Sequence, residues 1–244
     1  MKDFLATPSR ATANAVDWRL YLATDDRILN LSCPAEFFAK LIDAGVTALQ
    51  LRLKSAEDDR FREMARILHE ITSAKGVPLI INDRVDIMLE VGADGVHVGR
   101  GDQAICEVRK LAGDRIIGYS VNTMDHLRFA VENGADYVGL GPVFATGTKS
   151  DTGPVLGLEG LTRLAEACPL PCVGIGGITA TRVGNVMGCG VDGVCVISAV
   201  LGADDPAGAA AEAAAATSAS ESALSYSTSR LSSLKKASMN SWRR

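Results

Sequence analysis

Short apolar runs rich in β-branched residues recur along the chain, and segments with helical spacing separate them. The runs cover residues 20–24, 48–52, 78–83, 95–99, 116–120, 137–141, 171–176 and 193–198. Between them, stretches such as 61–71, 104–111 and 124–135 place apolar residues on one face of a helix. The pattern predicts eight strands that alternate with helices.

This alternation is typical of a parallel α/β fold. Eight units within about 200 residues fit a single (β/α)8 TIM barrel, with an open doubly wound sheet as the alternative. Four similar phrases favour the barrel: AGVTALQL, VGADGVHV, NGADYVGL and CGVDGVCV. Each reads as a glycine that closes a helix, then a small polar residue, then a strand. We expect the barrel over residues 18–216, with the alanine-rich segment 206–216 as its eighth helix.

The two ends of the chain differ in composition from this central part. Residues 1–17 are predicted to form a flexible leader. Residues 217–244 are rich in serine, carry few large apolar side chains and end in a basic cluster. Such a segment buries too little surface to offset its ordering entropy, so we expect a disordered tail that can be removed without loss of the fold. A tail helix packed on the outside of the barrel is the alternative.

Charge and composition exclude several classes of partner. The formal net charge is -4 and 22% of the residues are charged, which gives no electrostatic case for nucleic acid or an anionic membrane. No apolar run has the length of a membrane span, and the start lacks the apolar core of a secretory signal. The six cysteines form no CxxC pair, so we expect reduced, mostly buried thiols in a cytoplasmic protein. The sequence leaves open whether the chain forms a homo-oligomer.

The segment ALQLRLKS, residues 48–55, carries an unusual set of polar side chains. Leucines alternate there with Gln50, Arg52 and Lys54. In a barrel the leucine face packs on the helices, so the polar face looks inward, towards the mouth where the carboxyl ends of the strands meet. Two cations at that place need anionic partners, because burying an unpaired charge is costly. A phosphate or diphosphate is the favoured partner, and a salt bridge to a neighbouring strand is the alternative.

Carboxylates follow the next two strands. Asn82 and Asp83 end the third strand, and Asp102 follows the fourth. Neighbouring strands lie about 4.8 Å apart, so the two carboxylates can reach one cation. Mg²⁺ commonly takes one or two carboxylates together with substrate phosphates. The sequence therefore predicts a Mg²⁺ site here, unless Asp102 only caps the following helix.

The loops after the last three strands predict a second anion site. Residues 146–149, TGTK, form a polar loop that suits closure over phosphates, or else an ordinary solvated loop. Gly176, Gly177 and Ser198 lie where such barrels usually hold phosphate. Two anion sites imply two phosphate-bearing substrates. His97 has no visible Ser or Cys nucleophile as its partner, so positioning and charge stabilisation should carry the chemistry.

Seven motifs in the same order resemble the thiamine phosphate synthase family over about residues 18–216. The motifs are LQLRLK, INDRVDI, ADGVHVGRGD, IGYSVNT, ADYVGLGPVFATGTKSDTG, CVGIGGIT and DGVCVISAV. The resemblance implies a TIM barrel that joins hydroxymethylpyrimidine diphosphate to a thiazole phosphate with Mg²⁺, releasing pyrophosphate. It also implies a dissociative mechanism, in which pyrophosphate leaves first and the thiazole nitrogen captures a pyrimidine carbocation.

The resemblance also assigns roles to individual residues. The pyrimidine diphosphate would contact Gln50, Arg52, Lys54 and Asn82, and the metal would bind Asp83 and Asp102. Pyrophosphate would also contact Ser120 and Lys149, which join Arg52 and Lys54 as the catalytic set. The thiazole phosphate would contact Thr146, Thr148, Gly177, Ile197 and Ser198.

Some positions depart from the family pattern, namely Arg100-Gly101, Tyr119 and Asn122. They bear on rate and fine specificity rather than on the class of reaction. Three alternatives stay open: a thiazole tautomerase relative with the same barrel, a phosphate-sugar isomerase or aldolase barrel, and a barrel that binds phosphate without catalysis. The intact diphosphate and metal set disfavours the first, and the lack of an evident mid-barrel base or Schiff-base lysine disfavours the second.

Overall fold

The structure is a computed structural model that describes residues 13–147 and 153–224. Its eight strands are parallel and close into one barrel in chain order, which confirms the predicted TIM barrel. The strands are β1 (Leu20–Ala23), β2 (Ala48–Leu51), β3 (Leu79–Asn82), β4 (Gly95–Val98), β5 (Ile116–Val121), β6 (Tyr137–Leu140), β7 (Cys172–Ile175) and β8 (Gly193–Val196).

Helices follow the strands and surround the barrel. Those described are α1 (Pro34–Asp43), α2 (Asp58–Lys75), α3 (Val85–Val91), α4 (Ile105–Ala112), α5 (Met124–Asn133), α6 (Gly157–Ala167), α7 (Ala180–Met187), α8 (Ser198–Leu201) and α9 (Pro206–Leu224). Two short 3₁₀ helices, Ala13–Ala15 and Asp26–Asn30, precede β1 and α1.

Alternation along each strand divides the core into two layers. Outward-facing residues such as Leu49, Leu51 and Leu79 are fully buried between the strands and the helices. Inward-facing residues such as Tyr21 and Tyr137 fill the lower half of the barrel interior. The packed interior leaves space only towards the mouth, which is why the polar inward residues gather there.

The four repeated phrases share one structural role. In each, the small polar side chain accepts a hydrogen bond from a backbone N–H near the start of the preceding strand, at 2.8–3.0 Å. The four acceptors are Thr47, Asp94, Asp136 and Asp192, and their donors are Leu20, Leu79, Ile117 and Cys172. The repeats therefore fix the register of neighbouring strands at the end of the barrel opposite the mouth.

The last helix extends beyond the predicted end of the barrel at residue 216. Helix α9 continues to Leu224, so the predicted start of the tail at residue 217 is eight residues too early. Thr217 itself is buried, and its hydroxyl donates to the Ala214 carbonyl. At the other end Trp18 is buried and stacks on Tyr137, closing the bottom of the barrel. Residues 1–12 and 225–244 lie outside the described residues.

The cysteines agree with the expectation of reduced, mostly buried thiols. All six are free, and four of them, Cys168, Cys172, Cys189 and Cys195, are buried. Among the described helices, none combines the length and apolar character that a membrane crossing requires.

Candidate active site

A cavity of about 640 Å³ opens at the carboxyl ends of the strands. Eleven of the thirteen predicted site residues line it: Gln50, Arg52, Lys54, Asn82, Asp83, Asp102, Ser120, Thr146, Gly177, Ile197 and Ser198. The other two, Thr148 and Lys149, fall in residues 148–152, outside the described part of the chain. The fold thus collects residues from the ends of seven strands and the following loops around one space.

The polar face of β2 points into this cavity, as predicted. Gln50 and Arg52 are only 5% and 6% exposed, while Leu49 and Leu51 pack outward on the helices. The Nη2 atom of Arg52 is buried without a hydrogen-bond partner among the described residues. No described carboxylate forms a salt bridge with Arg52 or Lys54, so the structural salt bridge considered above is not present in that part of the chain. A guanidinium that lines a cavity and has a buried nitrogen without a described hydrogen-bond partner is suited to bind an anionic ligand.

Neighbouring polar side chains form hydrogen bonds with the backbone of Arg52 and Lys54 rather than with the charged groups of their side chains. The Arg52 N–H donates to Thr24 Oγ1 at 2.8 Å, and the Thr24 hydroxyl donates to the Arg52 carbonyl. The Lys54 N–H donates to Asp26 Oδ1 at 2.8 Å. Burial disfavours ionisation of the nearby Asp25, but its hydrogen bonds to Arg27 and the charges of Arg27 and Arg52 hold its pKa below the usual value. The strand end is therefore rigid while its guanidinium stays available to a ligand.

The two predicted metal ligands both face the cavity. Asp83 has a φ of +62°, the only positive φ of a non-glycine residue in the described chain. Backbone in this region is held at a cost, and such residues cluster at functional sites. Asn82 Nδ2 donates to Asp83 Oδ2 at 2.5 Å, which orients the carboxylate.

Asp102 does not cap the following helix. Its Oδ2 accepts from the Gly99 N–H at 2.6 Å, whereas the residue that caps α4 is Ala104. Within the described residues no cluster of three or more His, Cys, Asp or Glu side chains could enclose a metal. Two carboxylates beside an anion site nevertheless fit Mg²⁺, which completes its coordination with phosphate oxygens and water.

The loop after β7 forms the predicted glycine cradle. Gly176 and Gly177 have φ values of +100° and +65°. A Cβ at Gly177 would lie 2.7 Å from the Ala145 carbonyl oxygen and 2.8 Å from Phe144 Cβ, so no side chain fits there. Arg182 donates to the Gly177 carbonyl at 2.7 Å, which holds this loop in place. Ser198 begins α8 beside the cradle, and the first N–H groups of a helix lack partners within it.

The structure adds Tyr21 and His97 to the cavity lining, with Tyr137 buried beside them. His97 Nε2 lies 3.0 Å from Ser120 Oγ, so the expectation that no serine pairs with His97 is wrong. The other ring nitrogen lies 2.9 Å from the Tyr137 hydroxyl. The sequence carried a signal for His97, since the alternation in GVHVG places it on the inward face of β4. No sequence signal paired it with Ser120, because that contact joins two strands.

The departures from the family pattern fall in two places. Arg100 lines the cavity mouth. Burial and the charge of Arg100 lower the pKa of His126, whose Nδ1 donates to Asn122 Oδ1 at 2.6 Å. Tyr119 instead packs against Phe129 on the outer side of the sheet. Arg100 and Asn122 therefore border the site and Tyr119 does not.

A closed parallel barrel with a buried arginine, two carboxylates and a glycine cradle lining the cavity at its carboxyl end has the features of a phosphate-binding (β/α)8 barrel. A sequence profile described as thiamine monophosphate synthase matches residues 20–200. The chain belongs to this family.

Individual relatives agree with the family assignment. The thiamine-phosphate synthase of Chloroflexus aurantiacus is 42% identical over 198 residues, which cover 81% of this chain and 92% of that protein. That of Desulfitobacterium hafniense is 44% identical over 200 residues, covering 80% and 95%. The solved structure of thiamine phosphate pyrophosphorylase from Pyrococcus furiosus is 36% identical, with a TM-score of 0.76, and the match covers 84% of this chain and 97% of that one.

Proposed function

We propose that the chain is a Mg²⁺-dependent thiamine-phosphate synthase that joins hydroxymethylpyrimidine diphosphate to thiazole phosphate and releases pyrophosphate. The observation that supports this most strongly is the single cavity that contains all eleven described members of the predicted site. The relatives that carry this name match most of the chain at 42–44% identity. Thiamine phosphate is the product.

The β2 side of the cavity binds the diphosphate. Arg52 brings a buried guanidinium nitrogen with no partner among the described residues, and Lys54 adds a second cation at the rim. Asn82 and Ser120 contribute polar atoms on β3 and β5. Lys149, outside the described residues, is assigned to the departing pyrophosphate. Together these groups stabilise the charge that develops on the leaving group.

Asp83 and Asp102 would hold Mg²⁺ beside the diphosphate, where the ion would supply positive charge to the leaving group. The Asn82 amide and the Gly99 N–H keep the two carboxylates oriented towards this task. Their negative charge would repel a diphosphate if no cation lay between them, which makes metal and substrate binding interdependent.

The opposite side of the cavity binds the thiazole phosphate. Gly177, Ile197 and Ser198 offer backbone amides and a hydroxyl, which suit a phosphate monoester held by hydrogen bonds. Thr146 lines the same side, and Thr148 belongs to the same loop.

Bond making and breaking need no protein nucleophile. The bond from the pyrimidine methylene carbon to the diphosphate oxygen breaks, and the electron pair leaves on pyrophosphate. The thiazole nitrogen then donates its lone pair to the same carbon. The residues of the cavity align the two substrates, exclude water from the cation and stabilise the leaving charge. The free thiols are consistent with a cytoplasmic location.

A coupling assay tests the proposal. The full chain is incubated with both substrates and Mg²⁺, and thiamine phosphate is measured by chromatography. Omission of either substrate, or addition of a chelator, should abolish the product. Tyr119→Phe is the matched control, because Tyr119 lies outside the barrel interior and should keep full activity. A folded protein that makes no thiamine phosphate, or that only changes the tautomer of the thiazole, contradicts the proposal.

A further inference from the structure

A chain of side-chain hydrogen bonds crosses the barrel interior beneath the cavity. Gln50 Nε2 donates to the Tyr21 hydroxyl at 2.7 Å, and that hydroxyl lies 2.8 Å from the Tyr137 hydroxyl. The Tyr137 hydroxyl lies 2.9 Å from His97 Nδ1, and His97 Nε2 lies 3.0 Å from Ser120 Oγ. Five of the eight strands contribute one residue each. These hydrogen bonds join Gln50, assigned to the pyrimidine diphosphate, with Ser120, assigned to the departing pyrophosphate.

The fold leaves space for these hydrogen-bonded side chains and shields them from water. Tyr21 and Tyr137 are 1% and 0% exposed, and Trp18 stacks on the Tyr137 ring from below. A Cβ at Gly118 would lie 2.3 Å from the Tyr137 ring and 2.5 Å from His97 Nδ1. Glycine at 118 therefore leaves the space in which the histidine and the tyrosine meet.

The side-chain amide of Gln50 fixes the direction of these hydrogen bonds. An amide nitrogen only donates, so the Tyr21 oxygen accepts from Gln50. Burial raises the pKa of both tyrosines, so each keeps its proton and has one to donate. The hydrogen bonds then all run in one direction: the Tyr21 hydroxyl donates to the Tyr137 oxygen, and the Tyr137 hydroxyl donates to His97 Nδ1. A neutral histidine that accepts at Nδ1 carries its proton on Nε2 and donates it to Ser120 Oγ.

We propose that Tyr21, Tyr137 and His97 are positioning residues for the diphosphate end of the site. They hold His97 as the neutral Nε2–H tautomer, so that Ser120 accepts from it and donates its own proton to an oxygen of the diphosphate. Gln50, at the other end, sets the direction of all these hydrogen bonds. The inference rests on the proposed function for the roles of Gln50 and Ser120, but the tautomer itself does not depend on any substrate.

The tautomer can be read without ligands or turnover. The full chain is labelled with ¹⁵N-histidine, and long-range ¹⁵N–¹H correlations at pH 8 report which ring nitrogen carries the proton. His97→Gln identifies the His97 signal among the three histidines. We expect the Nε2–H form. In Gln50→Glu a carboxylate that accepts from Tyr21 replaces the amide that donates to it. Every hydrogen bond from Tyr21 to His97 then reverses, and His97 should change to the Nδ1–H form.

Kinetics provide the second measurement. Tyr137→Phe removes the hydroxyl that donates to His97 Nδ1 and keeps the stacked ring. It should lower kcat about tenfold, which is the loss expected when one aligned hydrogen bond is withdrawn from the transition state. The KM of the thiazole phosphate should stay unchanged, because its subsite lies on the other side of the cavity. Tyr119→Phe is the control and should keep wild-type kcat.

Either of two kinds of result, from the tautomer or from the kinetics, overturns the inference. One is an Nδ1–H tautomer of His97 in the wild type, or an Nε2–H tautomer that persists in Gln50→Glu. The other is an unchanged kcat in a folded Tyr137→Phe. A protein that fails to make thiamine phosphate but shows the tautomer switch would contradict the proposed function alone, so the two failures are distinguishable.

Discussion

Replacing Arg52 with methionine should make the protein more stable and nearly inactive. Arg52 Nη2 is buried without a described partner, and no described carboxylate neutralises the guanidinium through a salt bridge. Methionine keeps much of the unbranched side-chain volume and removes the charge. The ligand-free protein then no longer has to bury an unpaired polar group.

The size of both effects follows from this arrangement. A buried polar group without a partner costs about 1–3 kcal/mol. Recovering that free energy raises the melting temperature by about 2–4 °C per kcal/mol in a domain of this size. In the proposed function the same guanidinium would stabilise the leaving pyrophosphate in the transition state, and losing one such donor costs on the order of 10²–10³ in kcat. Pyrophosphate with Mg²⁺ should stabilise the wild type against heat and stabilise Arg52→Met much less.

Arg109 offers a matched control. Its Nε is also buried without a described partner, but its other nitrogens donate to the carbonyls of Gly113, Arg115 and Gly134 and to the carboxylate of Asp136. Arg109→Met leaves the buried Asp136 carboxylate with its hydrogen bond from the Ile117 N–H but without the arginine cation, so it should lower the free energy of unfolding by about 3–5 kcal/mol. The two arginines should thus respond in opposite directions to the same substitution.

Differential scanning calorimetry and the coupling assay measure the two quantities on the same samples. A fall in the melting temperature of Arg52→Met by several degrees would refute the reasoning, because it would mean that Arg52 has a structural partner. Retention of wild-type kcat/KM by that variant would refute its assignment to the diphosphate.

Three further outcomes are expected. Gly177→Ala should raise the KM of the thiazole phosphate at least tenfold with little change in the KM of the diphosphate, since its Cβ would push the cradle away from the backbone after β6. Steady-state kinetics with each substrate varied measures both values, and an equal rise in the two KM values would contradict the assignment. Lys149→Ala should lower kcat on the order of 10²-fold while isothermal titration finds thiazole phosphate binding unchanged, and equal turnover would remove it from the leaving-group role. Ending the chain after Leu224 should leave the melting temperature and activity intact, whereas ending it after Ala216 removes the buried Thr217 and the last turns of α9 and should lower the melting temperature by about 4 °C or more; equal melting temperatures would return the tail boundary to residue 217.

Much of the fold could be predicted because its determinants are local in the chain. The apolar runs marked all eight strands within one or two residues, since strand residues buried on the outer face of a parallel barrel are apolar at every second position. The glycine and polar residue of the repeated phrases marked the helix-to-strand turns. The end of α9 was misplaced because serine and alanine say little about helix length when packing on neighbouring helices decides it.

The membership of the site was also largely a property of the sequence. Once eight parallel strands are assigned to a barrel, every residue at the carboxyl end of a strand is expected at the same mouth of the barrel. Arg52, Asp83, Asp102 and Ser198 could therefore be grouped although they are far apart in the chain, and the structure places them around one cavity.

What only the tertiary structure decided are the pairings across strands and the state of each group. His97 and Ser120 meet because β4 and β5 lie side by side in one particular register and Gly118 leaves room beneath them. Whether Arg52 forms a salt bridge or lacks a partner, and whether Asp102 caps a helix or accepts from Gly99, depends on side-chain directions and loop paths. Sequence spacing carries the order of residues along one strand, whereas hydrogen bonds between strands depend on distances of a few tenths of an ångström that only the packed barrel sets.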